Sequence, residues 1–320
     1  IIASFDYKDS IENKCIEADS AAIINTNVDR VEFSLINSRK LKVKTVVSFE
    51  YEIVNKKETN ISVDVEGCDD IETQKECVSL QSCVDLSEHT FEVEDSIEIP
   101  SGQGSIKELL KLDMNISDTE YKAMSGKVII KGDINVCALY NNTDGGVEYC
   151  ETRIPFTEVL ECTRISEECI CDIDYDLCEK DVSIEEDSDG DLRIINLTAE
   201  ITAKLRATEE MEIEMINDCY RPFTKTETEK EKIVLEEVIS KPSAQNSVRE
   251  IIETGAKLPP VSGVYNVITT PVVKKAEING AKLLCEGYIE ACVLYLSDSI
   301  ENPVYSVKKE IPFRYLMDAQ

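Results

Sequence analysis

"IIKGDINVCALYNNTDGGVEYCETRIPF" fills residues 129–156, and "LLCEGYIEACVLYLSDSIENPVYSVKKEIPF" fills residues 283–313. The two stretches are one motif written twice. From Lys127/Lys282 to Tyr140/Tyr295 the offset is a constant 155, matching Gly132 with Gly287, Ile134 with Ile289, Cys137 with Cys292 and Leu139 with Leu294. After a turn two residues longer in the second copy, Ile154, Pro155 and Phe156 match Ile311, Pro312 and Phe313. Within each copy the period is two. Val128, Ile130, Gly132, Ile134, Val136, Ala138 and Tyr140 share one face, and Lys131, Asp133 and Asn135 the other. Such alternation predicts half-buried antiparallel strands. "NNTDGG" at 141–146 reads as the hairpin turn, and Ile-Pro-Phe as the strand end, because proline lacks a ladder donor.

A second motif also recurs. "RKLKVKTVVSFEY" at 39–51 matches "RIINLTAEITAKL" at 193–205 with an offset of 154, which also brings Cys15 onto Cys169. Leu41, Val43, Val47, Phe49 and Tyr51 alternate with charged and polar neighbours, as do Ile195, Leu197, Ala199, Ile201, Ala203 and Leu205. The chain therefore reads as two copies of a unit of about 154 residues, each with two module types. The predicted fold is mainly β: tandem small antiparallel sandwich-like modules with a few short helices, at 105–112 and 247–254, each opened by a serine that can cap it. The expected division is an N-terminal partial β module at 1–90, one unit at 91–225 and a second at 226–320. Residues 226–247, charged and then proline-bearing, are the expected connection.

The chain has 320 residues and a net charge of −30, which disfavours nucleic acid and anionic membranes as partners. No apolar run approaches the roughly 20 residues of a membrane helix. The first residue is Ile1, so a preceding segment is left open. With one histidine, His89, imidazole-dependent catalysis has a single candidate. No phosphate-binding loop, dinucleotide fingerprint or nucleophile elbow is present, so neither enzyme activity nor a cofactor is expected. "SIEEDSDGD" at 183–191 meets a calcium-loop spacing only in part and reads as a solvated turn.

Thirteen cysteines are many for this length, and the odd count leaves at least one thiol free or paired with another molecule. Symmetric pairing about the 141–146 turn would set Cys137 opposite Cys150 on the polar face. The second copy keeps Cys292 but has Val307 in place of Cys150, which makes Cys292 a candidate for a bond to another chain. Cys285, on the apolar face, reads as a core thiol. Cys162, Cys169, Cys171 and Cys178 follow C-x6-C-x-C-x6-C, a poor zinc spacing, and fit disulfides better. Cys15 and Cys219 complete the crosslink candidates. Cys68, Cys77, Cys83 and His89 form a weak metal candidate, set against the plainer reading of a surface loop.

The apolar strand, its glycine, the Leu-Tyr end, the variable turn and the closing Ile-Pro-Phe resemble the SPOCS domain, a family of clostridial spore-envelope proteins. The resemblance is strongest at 127–156 and 282–313. The cysteine load resembles the exosporium basal-layer type more than the type that ends in a LysM domain. It implies a structural protein of the spore surface, in exosporium or outer coat, that partners itself in a hexagonal disulfide-linked array and meets other envelope proteins. The alternative it implies is an adaptor that binds a coat-assembly ATPase.

Overall fold

The structure is a computed structural model, described here for residues 10, 20–55, 60–66, 70–223, 225, 227–229, 245–299 and 302–318. Among these residues there are eleven strands and no helix. They run β1 (Ala21–Asn37), β2 (Lys40–Val54), β3 (Glu72–Glu98), β4 (Ile106–Met124), β5 (Lys127–Asn142), β6 (Val147–Glu161), β7 (Ile170–Glu186), β8 (Leu192–Tyr220), β9 (Gly263–Asn279), β10 (Lys282–Leu296) and β11 (Val304–Asp318). The sheets are a β1-β2 hairpin and three antiparallel sheets ordered β4-β5-β6, β9-β10-β11 and β3-β8-β7.

The repeat predicted from sequence is a repeat of sheets. β4-β5-β6 and β9-β10-β11 are the same meander, with the recurring motif on the central and last strands. The hairpins β1-β2 and β7-β8 carry the other motif. β4-β5-β6 packs face to face on β3-β8-β7 as a sandwich. The matched apolar faces meet in one core: Val128, Ile130, Ile134, Val136, Ala138 and Tyr140 from one layer, and Ile195 to Ala207 at alternate positions from the other.

The glycine and the phenylalanine of the motif explain each other. Gly132 lies opposite Phe156, and Gly287 opposite Phe313. A methyl group on Gly132 would sit 2.7 Å from the Phe156 ring, and one on Gly287 would sit 2.8 Å from the Phe313 ring. Each ring thus lies over a strand backbone that only glycine leaves open. On the other side of each glycine the first strand bulges, between Ser117 and Glu120 in β4 and at Lys274 in β9. Asp118, inside the first bulge, takes a φ of 51°. Bulge, glycine and ring together curve the sheet at one place in both copies.

Several expectations are corrected. Residues 106–112 belong to β4, and 247–254 have no regular structure, so neither helix forms. The ladder from Ile106↔Asn142 onward satisfies the backbone of this segment across the sheet, outweighing a serine cap. Ile-Pro-Phe is not a strand end: β6 and β11 run on to Glu161 and Asp318. Pro155 and Pro312 are tolerated mid-strand because both strands are sheet edges, where a missing N–H can face away from the ladder. Residues 72–98 are one long strand rather than a surface loop, paired with β8 from Glu72↔Tyr220 to Glu98↔Ile194. The boundary drawn at residue 90 therefore falls inside β3. Of the expected 226–247 connection, residues 226 and 230–244 lie outside the described residues.

Candidate functional site

The cysteines carry most of the chemistry this sequence offers, and the strands decide where each thiol can reach. Eleven of the thirteen lie among the described residues, all as free thiols; Cys15 and Cys68 lie outside them.

The expected facing of Cys137 and Cys150 fails by one residue. The hairpin turn is centred so that Cys137 pairs with Glu151, and Cys150 with Ala138. With a side-chain period of two, a slip of one places the thiols on opposite faces of the sheet. The turn is set by Asn142, whose Oδ1 accepts the Gly146 N–H at 2.7 Å while its own N–H donates to Gly146 O at 2.9 Å. Cys150 is buried in the sandwich core.

Cys137 points the other way and meets the second meander. Its Sγ donates to Tyr265 O at 3.2 Å. Tyr265, from β9, is 1% exposed and packs with Leu139 and Leu296. Its hydroxyl donates to Asp113 Oδ2 at 2.6 Å and approaches Cys137 O at 3.3 Å. Burial pushes the Tyr265 phenol up, and the adjacent Asp113 carboxylate adds to the rise. Burial also pushes the Asp113 carboxyl up, but hydrogen bonds from Lys111, Tyr265 and Asn266 hold it below the usual carboxylate range. The Cys137 thiol is raised to about 12, first by burial and then by Glu151. A thiol so raised holds almost no thiolate near neutrality and is a poor nucleophile. Its position is that of a joint between the two meanders.

Cys162, Cys169 and Cys171 are also interior, 3%, 5% and 4% exposed, in the sandwich core. Cys162 Sγ lies 3.6 Å from His89 Nε2, which also meets Ser87 Oγ at 3.1 Å. Burial, then Asp85, raises the Cys162 thiol to about 12, and burial, then Cys169, raises Cys171 to about 11. Cys178, the last of the C-x6-C-x-C-x6-C set, is exposed on β7 and donates to Glu200 Oε1 at 3.8 Å. Slight burial and then the Glu200 charge push its thiol up.

The metal candidate is not assembled. Cys77, Cys83 and His89 lie on the single extended strand β3, paired with Glu214, Thr208 and Ala203. At about 3.3 Å per residue the first and last are on the order of 40 Å apart, too far to share one ion. Among the described residues no group of three or more metal-ligating side chains occurs. The acidic 183–191 stretch is the end of β7 and the β7-β8 turn. There Asp187 Oδ1 accepts the N–H groups of Asp189 and Asp191, and Gly190 takes a φ of 86°.

Two accessible thiols sit on the part of the β3-β8 ribbon that β7 does not reach. β7 pairs with β8 only up to Ile170↔Thr208, but β3 and β8 continue together to Glu72↔Tyr220. This ribbon carries Cys77, exposed, and Cys219, half-buried opposite Thr73. In the sequence Cys77 is a weak metal candidate or part of a surface loop. The ribbon makes it the most reachable thiol on β3. Cys292, the counterpart of Cys137, is half-buried on β10 between Ile268 and Lys308. Cys285, expected in the core, is likewise only half-buried.

The SipL, SPOCS domain family matches the chain at residues 105–185 and 260–320. No curated protein and no solved structure matches it. The first matched segment holds β4, β5, β6 and most of β7, and the second holds β9, β10 and β11. The matched segments contain the two copies of one meander, and these segments of the chain are similar to the SPOCS domain.

Proposed function

We propose that this protein is a structural component of a bacterial spore envelope that assembles with itself into an ordered layer, exosporium basal layer or coat, hardened by disulfides between molecules. The observation that carries this reading is the doubled SPOCS meander joined to reachable thiols at Cys77, Cys178, Cys219 and Cys292. Intermolecular bonds belong to these four. Cys162, Cys169 and Cys171 would have to leave the core to reach a neighbour. A bond between subunits acts chiefly on kinetics, since the contact then separates only by thiol exchange.

The second reading is an adaptor that docks a coat-assembly ATPase and forms no lattice. The same family match favours it, because SPOCS proteins serve structural or adaptor roles rather than catalysis. Gel electrophoresis of spore-extracted protein, with and without reductant, separates the two. Ladders that collapse to one band on reduction are expected of the layer. A single band in both lanes, with capture of the ATPase unaffected by reductant, would leave the adaptor standing.

A further inference from the structure

The two copies of the β1-β2 motif have opposite surroundings. In β8, Ile195, Leu197, Ile201, Ala203 and Leu205 are buried beneath the first meander. Their counterparts in β2, Leu41, Val43, Val47, Phe49 and Tyr51, are all exposed. β1 adds Ile24, Val28, Val31, Phe33 and Leu35 to the same face through the pairs Ile24↔Tyr51, Val28↔Val47, Phe33↔Val43 and Leu35↔Leu41. Phe33 and Leu35 are 76% and 74% exposed. A contiguous apolar face of this size marks an interaction surface.

The other face of the hairpin is already engaged. Lys204 Nζ donates to Ile24 O at 2.6 Å and to Asn25 Oδ1 at 3.2 Å, and Arg206 Nη1 pairs with Glu52 Oε2 at 2.8 Å. These contacts anchor the polar side to the outer surface of β8 and turn the apolar side outward.

The second meander shows the converse gap. Ile130 and Ile134 are wholly buried, whereas Cys285 and Ile289, at the same places, are half exposed. Val267, Val273 and Ile278 of β9 are exposed on that face, Ile278 at 75%. Its Tyr295 end is partly covered by the chain itself, through Tyr295 Oη to Pro259 O and Lys309 Nζ to Ile251 O, but the Gly287 end is open.

The geometry points to a second copy of this chain as the occupant of both faces: the β1-β2 hairpin of one molecule caps the β9-β10-β11 meander of the next, repeating between molecules the sandwich that β7-β8 and β4-β5-β6 form within one. The internal sandwich supplies the template: there Phe156 of the meander packs on Tyr175 of the capping hairpin with ring centroids 6.3 Å apart. In a chain of net −30, the hairpin at 21–54 carries five basic residues against four acidic ones, and the strands β9, β10 and β11 carry six against five, so charge does not oppose the contact. The contact joins unlike surfaces, so it propagates from copy to copy into an open array or a closed ring. It deepens the self-assembly reading and rests on it. It needs no cysteine, since residues 21–54 contain none.

Sedimentation of the full chain in reductant tests this, with Val43→Asp on the hairpin and Ile278→Asp on the meander. Both positions are exposed, so both variants should keep the wild-type circular dichroism. Wild type should form species beyond dimers, and each variant alone should sediment as a monomer. An equal mixture should stop at dimers, because only one intact hairpin and one intact meander can meet. Variants that assemble like wild type would overturn the proposal and leave self-assembly intact. So would wild type that assembles only when oxidised. A variant that melts earlier without changing mass would show that the chain covers its own face, which also overturns it. Wild type that stays monomeric, reduced or oxidised, would remove the self-assembly reading as well.

Discussion

β5 and β10 match position for position, yet Ile134 is wholly buried and Ile289 half exposed. Each strand carries a glycine under a phenylalanine and opposite a β-bulge. The strands do not differ in how they are made. They differ in what lies over them. The first meander carries β3-β8-β7 as a second layer, while the described residues give the second meander only a short covering segment. The same alternating sequence is thus a core in one place and an open surface in the other. Alternation specifies a face to be covered and does not specify which molecule covers it.

Truncation should separate the two meanders most sharply. Ile134→Ala opens a cavity inside the sandwich and should cost about 4 kcal/mol in urea unfolding, whereas Ile289→Ala in the unassembled chain should cost about 1 kcal/mol. Equal losses would mean that the second meander is already covered in the monomer. A smaller effect, in the opposite order, is expected at the glycines. A methyl group on Gly287 meets the Val272 carbonyl oxygen at 2.0 Å, so backbone must move; on Gly132 it meets mainly the Phe156 ring, which can tilt. Gly287→Ala should therefore cost about 3 kcal/mol and Gly132→Ala about 1 kcal/mol, and Phe156→Leu should relieve only the latter.

The mildest test concerns Cys137 and its counterpart Cys292. At pH 8, iodoacetamide should modify Cys77 and Cys292 well before Cys137, Cys162 or Cys171, as peptide mass mapping would show. The sign of the pH dependence follows from the raised thiol of Cys137, about 12 against an ordinary 9.0. The unfolded chain ionises first, so the stability that this thiol contributes is full below pH 9 and lost as pH rises toward 12. Early labelling of Cys137 would mean that the joint with Tyr265 is open in solution.

Much of this was legible in the residues. The period of two at 128–140 gave the strands and their inner face, and the offsets of 154 and 155 gave two kinds of recurring sheet. What misled was local. Ser105 looked like a helix cap, but the following strand pairs with β5 across the turn at Gly126. The acidic, cysteine-bearing 72–89 stretch reads as a loop in the sequence because its partner on β8 is more than 110 residues away. Cys137 and Cys150 were placed face to face by a half-residue error in the centre of one turn, which the hydrogen bonds of Asn142 decide.

The sequence by itself determined the recurring strands, their inner faces, the doubled unit and the likeness to the SPOCS domain, because side-chain alternation and the Gly with Ile-Pro-Phe pattern are written locally. Only the tertiary structure decided which copy of each face is buried and which thiols are reachable. Burial depends on the layer packed above a strand, and the strand's own residues do not encode that layer's presence.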